Sequence, residues 1–276
     1  MRSILITGGS GTFGRAFAKR LLESSVDRIC IYSRGEHRQA EMRTELGDHA
    51  KLRWFIGDIR DRERLRLAMR GCDAVVHAAA LKRIEVGLYN PDEMVQTNIL
   101  GALNVIRVAH DEGVRRVLAL STDKAVAPVS MYGISKAAAE CLFRAANNPT
   151  TKYAIVRYGN IAGSQGSVIP IWRRAIAEGR RIRITDSDCT RYWMRIEEAV
   201  DLVWNTLRYM AGGEVMIPTL PAYRLGDLAV AMGVMHADHI GLPDHEKMHE
   251  TMDGIGSSNT ARRMSVPELK EALTYV

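Results

Sequence analysis

Ser3-Ile-Leu-Ile-Thr-Gly-Gly-Ser-Gly-Thr-Phe-Gly14 sets Gly8, Gly11 and Gly14 at three-residue intervals between an apolar run of strand length and a segment of helical spacing. Glycine permits a tight turn there and lets backbone N–H groups approach a pyrophosphate, which a helix N-terminus also favours electrostatically. A glycine triplet alone also suits any strand-to-helix turn, so its position at the first strand carries more weight than its spacing. Gly8, Ser10, Gly11, Thr12, Phe13 and Gly14 are the first candidate cofactor contacts.

Working outward, runs of strand length recur at Ser3 to Thr7, Arg28 to Tyr32, Lys51 to Ile56, Ala74 to His77, Val117 to Leu120 and Tyr153 to Arg157. Between them lie segments with helical spacing, such as Phe13, Phe17, Leu21 and Leu22. Strands apolar on both faces that alternate with helices predict an α/β fold, a doubly wound parallel sheet of Rossmann type. After Arg157, glycine and proline punctuate shorter pieces. The expected division is a dinucleotide-binding domain over residues 1–159 and a smaller mixed substrate lobe over 160–276, sharing a core across a soft boundary.

The chain has 276 residues, 46% hydrophobic and 25% charged, which excludes disorder and disulfide scaffolds. Its net charge of +6 permits an anionic partner without naming one. Cys30, Cys72, Cys141 and Cys189 form no Cys-x-x-Cys pair, which points to a reducing compartment. No apolar stretch approaches the roughly 20 residues of a membrane span, and no signal-peptide core follows Met1. The expected location is the cytoplasm. The charge-dense segment Arg60 to Arg70 reads as the solvated face of a helix.

Gly57-Asp58 closes the third strand, where a carboxylate accepts a hydrogen bond from an adenine amino group or caps the next helix. The second strand ends in Ser33-Arg34, where an NAD site usually holds an acidic residue against the ribose hydroxyls. Arg34 suits a 2′-phosphate, with Arg38 as helper, so NADP is preferred over NAD; the plain alternative is an exposed arginine. Tyr132 and Lys136 stand four residues apart, on one face of a helix. A phenol near pKa 10 must drop by roughly 3 units to act as a base at neutral pH, and a nearby ammonium contributes to that shift.

Thr7 to Gly14, Gly57-Asp58, His77-Ala78-Ala79-Ala80, Thr97-Asn98, Tyr132 to Lys136 and Arg157-Tyr158-Gly159-Asn160 together resemble the extended short-chain dehydrogenase/reductase family over most of the chain. Ser121-Thr122-Asp123-Lys124, Ile31 to Arg34, Ala79 to Lys82, Arg157 to Gly163, Gly166-Ser167-Val168 and Thr190-Arg191 look like its UDP-N-acetylglucosamine 4,6-dehydratases, and Tyr132 like the C5-inverting type. The resemblance implies NADP contacts at Ile59, Ala78, Ala79, Ala80, Lys82 and Asn98, besides Ser33, Arg34, Arg38, Asp58, Tyr132 and Lys136. It implies sugar and diphosphate contacts at Lys82, Thr122, Tyr132, Asn160, Ser164, Gly166, Ser167, Val168 and Arg191. A UDP-sugar substrate, no nucleic acid, no metal and a homo-oligomer follow from it as well.

The implied chemistry assigns Tyr132 the C4 hydroxyl proton, Lys124 the C5 proton and Asp123 the departing C6 hydroxyl, with hydride lost from C4 and returned to C6. Lys124 serves as base only if burial pushes its pKa down by about 3 units against Asp123. Consecutive residues of a strand face opposite sides, so Asp123 and Lys124 must lie in irregular backbone past the strand end; the alternative is a surface ion pair. Pro243 to Glu250 departs from the family pattern at Asp244-His245, putting uridine contacts there in doubt. The chain is also shorter at its C-terminus than typical members, so that a terminal strand or oligomer contact is expected to be missing. The competing readings are a UDP-sugar 4-epimerase, which has no need of the Asp123-Lys124 pair, and a catalytically silent NADP-binding regulator, which has no need of Tyr132 and Lys136.

Overall fold

Strand and helix alternate through the computed structural model, which describes residues 1–276. Six strands come first: β1 (Ser3–Thr7), β2 (Arg28–Ser33), β3 (Leu52–Ile56), β4 (Ala74–His77), β5 (Arg116–Thr122) and β6 (Lys152–Tyr158). Short strands follow: β7 (Arg183–Ile184), β8 (Thr190–Tyr192), β9 (Val215–Met216), β10 (Ala222–Arg224) and β11 (Asp238–His239). The main sheet is parallel in the order β3-β2-β1-β4-β5-β6-β9. Its order reverses between β1 and β4, opening a crevice at the carboxyl ends of those strands.

The helices are α1 (Thr12–Leu22), α2 (Glu36–Leu46), α3 (Arg62–Met69), α4 (Ile84–Tyr89), α5 (Pro91–Met94), α6 (Gly101–Asp111), α7 (Met131–Ala146), α8 (Val168–Ala177), α9 (Ile196–Tyr209), α10 (Leu225–Ala231) and α11 (Val266–Ala272). Strand alternation splits the core in two. Ile4, Ile6, Ile29, Ile31 and Val76 face Phe17 and Leu21 of α1 and Val203 and Leu207 of α9. Leu5, Cys30, Tyr32 and Val75 face Leu65 of α3, Val105 of α6 and Phe143 of α7. Each large side chain so enclosed contributes about 1.5–3 kcal/mol, which is why strands buried on both faces hold the sheet between two helix layers. The charged run expected as a solvated helix face is α3, which buries Leu65, Ala68 and Met69 beneath its arginines.

The lobe after β6 has a core of its own, built from Ile169, Trp172, Ile184, Trp193, Tyr223 and Leu228. Residue 160 is nonetheless no clean cut, because α9 and β9 return to the sheet and Ile161, Met194 and Met252 join its core. No helix is long and apolar enough to cross a membrane.

Candidate active site

A cavity of about 1090 Å³ opens along the carboxyl ends of the central strands, under the lobe. Gly8, Ser10, Gly11, Thr12, Phe13 and Gly14 border it, as do Ser33, Arg34, Arg38, Asp58 and Ile59, and Ala78, Ala79, Ala80 and Lys82. Gly8 has φ +67°, and a Cβ there would stand 2.8 Å from the Ala79 nitrogen. The turns after β1 and β4 thus cross too closely for side chains, leaving a backbone cradle of the kind a pyrophosphate needs. Arg34 Nη1 lies 3.6 Å from Asp58 Oδ2, and Arg60 holds the same oxygen at 2.8 Å. Asp58 does not cap α3; Asp61 does, accepting from the Arg64 N–H. Gln39 donates to the Ser33 hydroxyl and carbonyl and braces that loop.

Asn98 is a correction. It does not border the cavity; its side chain is buried in a π-helical turn, Val95–Leu100, that runs into α6. Its carboxamide accepts from the Leu81 N–H at 2.8 Å and donates to the Leu81 carbonyl at 2.9 Å and to Ser135 Oγ at 2.9 Å. Asn98 therefore ties the loop after β4 to α7 and spends both of its N–H donors in doing so.

Tyr132 and Lys136 lie on the cavity wall, one turn apart on α7, which Ser130 caps through the Gly133 N–H. A Cβ at Gly133 would collide with the Lys124 carbonyl, so glycine lets α7 press against the turn that carries Lys124. Lys136 Nζ donates to the Leu120 carbonyl at 2.7 Å. Burial pushes Lys136 down to about 8, partly offset by Glu140. Tyr132 departs from expectation. Burial raises its pKa, and the cation that opposes this is Lys124, while Lys136 spends its charge on Leu120.

β5 ends at Thr122, and Asp123–Ala125 form a single 3-10 turn. That irregular backbone removes the alternation of a strand and lets both side chains turn inward. Lys124 Nζ lies 3.2 Å from Asp123 Oδ1, 3.2 Å from Glu250 Oε1 and 3.3 Å from Asn160 Oδ1. Thr122 borders the cavity, and its Oγ1 donates to Asp123 Oδ1 at 3.0 Å. Lys124 borders it too, but Asp123 does not: it is fully buried behind them, with Oδ2 unpartnered. Ala127 follows the turn at φ +43°, a strained value for a residue with a Cβ, and Lys247 Nζ donates to the Val126 carbonyl at 3.0 Å.

The charge of Lys124 is the second correction. Burial alone lowers its pKa, as expected, but Asp123 and Glu250 outweigh burial and push it above the ordinary lysine value. Asp123 is raised, chiefly by burial and further by Glu250. Glu250 is disfavoured by burial but held down to about 2 by Lys124, Arg191 and Lys247. Burial lowers Lys82, which also borders the cavity.

On the lobe side, Asn160, Ser164, Gly166, Ser167, Val168 and Arg191 all border the cavity. Ser167 stands at the N-cap of α8 with its hydroxyl buried and unpartnered, and a ten-residue helix directs its positive end there. Arg191 is committed to the Thr190 carbonyl at 2.8 Å and the Met248 carbonyl at 3.2 Å, with Glu246 at 3.3 Å. No group of three or more His, Cys, Asp or Glu side chains is placed to hold a metal; His249 meets Thr190 Oγ1 instead. His245, Glu246, Lys247 and Glu250 reach the wall from a segment that sequence reasoning left in doubt. The signal was the density of charge from Asp244 to Glu250 among otherwise unpatterned residues.

Comparison with known proteins agrees with this geometry. A Campylobacter jejuni protein named UDP-N-acetylglucosamine 4,6-dehydratase (inverting) is 45% identical over 259 residues, covering 91% of this chain and 77% of the relative. A Rickettsia typhi protein named UDP-glucose 4-epimerase is 37% identical, over 95% of this chain and 80% of its own. The crystal structure of Pen from Bacillus thuringiensis superposes with a TM-score of 0.94 at 31% identity, covering 100% of this chain and 98% of that one. The parallel sheet with its glycine cradle, and a family model described as polysaccharide biosynthesis protein that matches residues 4–270, place the chain in that family, within the extended short-chain dehydrogenase/reductase fold.

Proposed function

We propose that the protein is a nucleotide-sugar 4,6-dehydratase that acts on UDP-N-acetylglucosamine and inverts C5. The observation that carries this reading is the pairing of fully buried Asp123 with Lys124 on the same cavity wall as Tyr132, since a 4-epimerase eliminates no water and has no use for a second acid and base. The name of the 45% identical Campylobacter protein supports it.

A bound nicotinamide dinucleotide supplies the hydride acceptor at C4 and the donor at C6. Tyr132 takes the C4 hydroxyl proton, and the resulting carbonyl acidifies the hydrogen at C5. Lys124 removes that hydrogen once it has given up a proton of its own. Asp123 is enclosed, so its proton reaches the departing C6 hydroxyl through Thr122, which borders the cavity; its hydroxyl donates to the Asp123 carboxylate and, once Asp123 is protonated, rotates to accept that proton while passing its own to the leaving oxygen. The Ser167 hydroxyl and the α8 N-terminus seat the diphosphate. Incubation with UDP-N-acetylglucosamine in deuterated water is expected to give a 4-keto-6-deoxy sugar carrying deuterium at C5 by NMR. A C4 epimer as sole product would sink the reading.

NADP is the proposed cofactor, because Arg34 and Arg38 border the adenosine end of the cradle with Asp58 as the nearest opposing charge. Arg34→Ala is expected to weaken NADPH binding about tenfold or more, the worth of one charge-assisted hydrogen bond, and to leave NADH binding unchanged in a fluorescence titration. Equal losses for the two would remove Arg34 from phosphate recognition. Free Cys30, Cys72, Cys141 and Cys189 suit a reducing cytoplasm. Exposed Leu88, Tyr89, Leu100 and Ile134 offer apolar surface for a homo-oligomer.

A further inference from the structure

Lys124 presents a difficulty that the dehydration reading does not resolve by itself. An ammonium has three N–H donors and no lone pair, and all three have an oxygen within reach: Asp123 Oδ1 at 3.2 Å, Glu250 Oε1 at 3.2 Å and Asn160 Oδ1 at 3.3 Å. A group so held cannot remove a proton from carbon. Its own proton must first pass to one of these acceptors. Asn160 is an amide and takes none. Glu250 is doubly paired, with Lys247 Nζ 2.8 Å from its second oxygen, and stays ionised. Asp123 is fully buried and has Lys124 as its one ion-pair partner, against two for Glu250, so it has least to gain from remaining charged.

We propose that Glu250 is a positioning residue for the elimination: with Asn160 it holds the Lys124 amine against Asp123, so that one proton crossing the 3.2 Å contact makes the base and the acid together. The step balances, since the ammonium and carboxylate become an amine and a carboxylic acid with no net change of charge. The lone pair so formed points first at Asp123; rotation about the Cε–Nζ bond, with release of the Asn160 contact, turns it to C5, and the acid proton is then available to the C6 hydroxyl. This rests on the dehydratase reading and adds to it a residue from the Pro243 to Glu250 segment, which sequence patterns leave unassigned.

The working form of the pair carries one proton, so kcat against pH is bell-shaped, limited by gain of a second proton on the acid side and loss of the first on the basic side. Asp123, Glu250, Arg191, Lys247, Tyr132, Tyr192 and Tyr223 are the charged and titratable groups that act on this pair or on Glu250. The Glu250 carboxylate favours protonation of the pair in both steps. Glu250→Gln keeps an acceptor oxygen but removes that charge. Both limbs of the bell are expected to move to lower pH by about one unit, so on the acid limb the variant gains about tenfold relative to wild type. The KM for the sugar is expected to stay within about twofold, because the ground-state contacts of the substrate are retained.

Lys247→Met removes a positive charge from the same site, and its bell is expected to move the opposite way, to higher pH. This second variant serves if Glu250→Gln does not fold. A purely structural Glu250 would lower the height of the bell and leave its position unchanged; that result, or no shift in the Lys247 variant, overturns the proposal. A wild-type protein that makes no 4-keto-6-deoxy sugar overturns the dehydratase reading and this one with it. A dehydrating wild type whose variants keep their pH limbs overturns this one alone.

Discussion

Lys124→Ala is expected to slow water loss by about a thousandfold, the usual worth of a positioned base, while dinucleotide binding persists and C4 oxidation continues at a lower rate, since Lys124 is also the cation that opposes burial at Tyr132. The split follows from where the residue stands. Lys124 sits on the 3-10 turn beyond β5, whereas the cradle at Gly8 to Gly14 and the tyrosine on α7 belong to other elements. With sugar added, absorbance of reduced nicotinamide should rise and persist, because a 4-keto sugar that cannot lose its C5 hydrogen cannot accept hydride at C6. Removing one partner of a buried ion pair also costs about 3–5 kcal/mol. That cost falls on Asp123, which answers by taking a proton, while Glu250 retains Lys247. Lys124→Met keeps the apolar stem and serves as companion, with thermal melts confirming a folded chain. Release of product at the wild-type rate by either variant would remove Lys124 from the elimination.

The sheet and its crevice were legible because their signals are local and periodic. Alternating apolar runs mark β1 to β6, and the glycines at 8, 11 and 14 mark the first turn. What sequence order concealed was contact at long separation. Glu250 meets Lys124 across 126 positions and adds to the upward push that Asp123 gives its pKa against burial. The same blindness assigned Asn98 to the cofactor, since nothing local shows that a π-helical turn points its amide at Leu81 and Ser135. The boundary at residue 160 was expected to be soft, with a shared core, and α9 and β9 return to the sheet. The placement of Asp123 and Lys124 past the strand was anticipated from geometry alone, but not that the carboxylate would end up behind the amine, sealed from the cavity.

Tyr132→Phe is expected to stop the reaction one step earlier, with turnover down by about a hundredfold to ten-thousandfold. No reduced nicotinamide should appear when sugar is added, the opposite of the Lys124 variants, because the C4 hydroxyl then has no acceptor for its proton as the hydride leaves. The ring is retained, so the packing of α7 against β5 changes little. In the ligand-free protein burial raises the pKa of Tyr132, with Lys124 as the opposing cation. Lys136, pushed by burial down to about 8, still carries its charge at neutral pH, and its hold on the Leu120 carbonyl keeps that charge beside the cavity. Lowering Tyr132 far enough to accept a proton therefore falls to the positive charge that a bound, oxidised nicotinamide brings. The phenol is accordingly expected to titrate at lower pH with NADP bound than without it, by ultraviolet difference spectra of wild type against Tyr132→Phe. An unchanged phenol titration on NADP binding, together with wild-type turnover by the phenylalanine variant, would exclude Tyr132 as the base at C4.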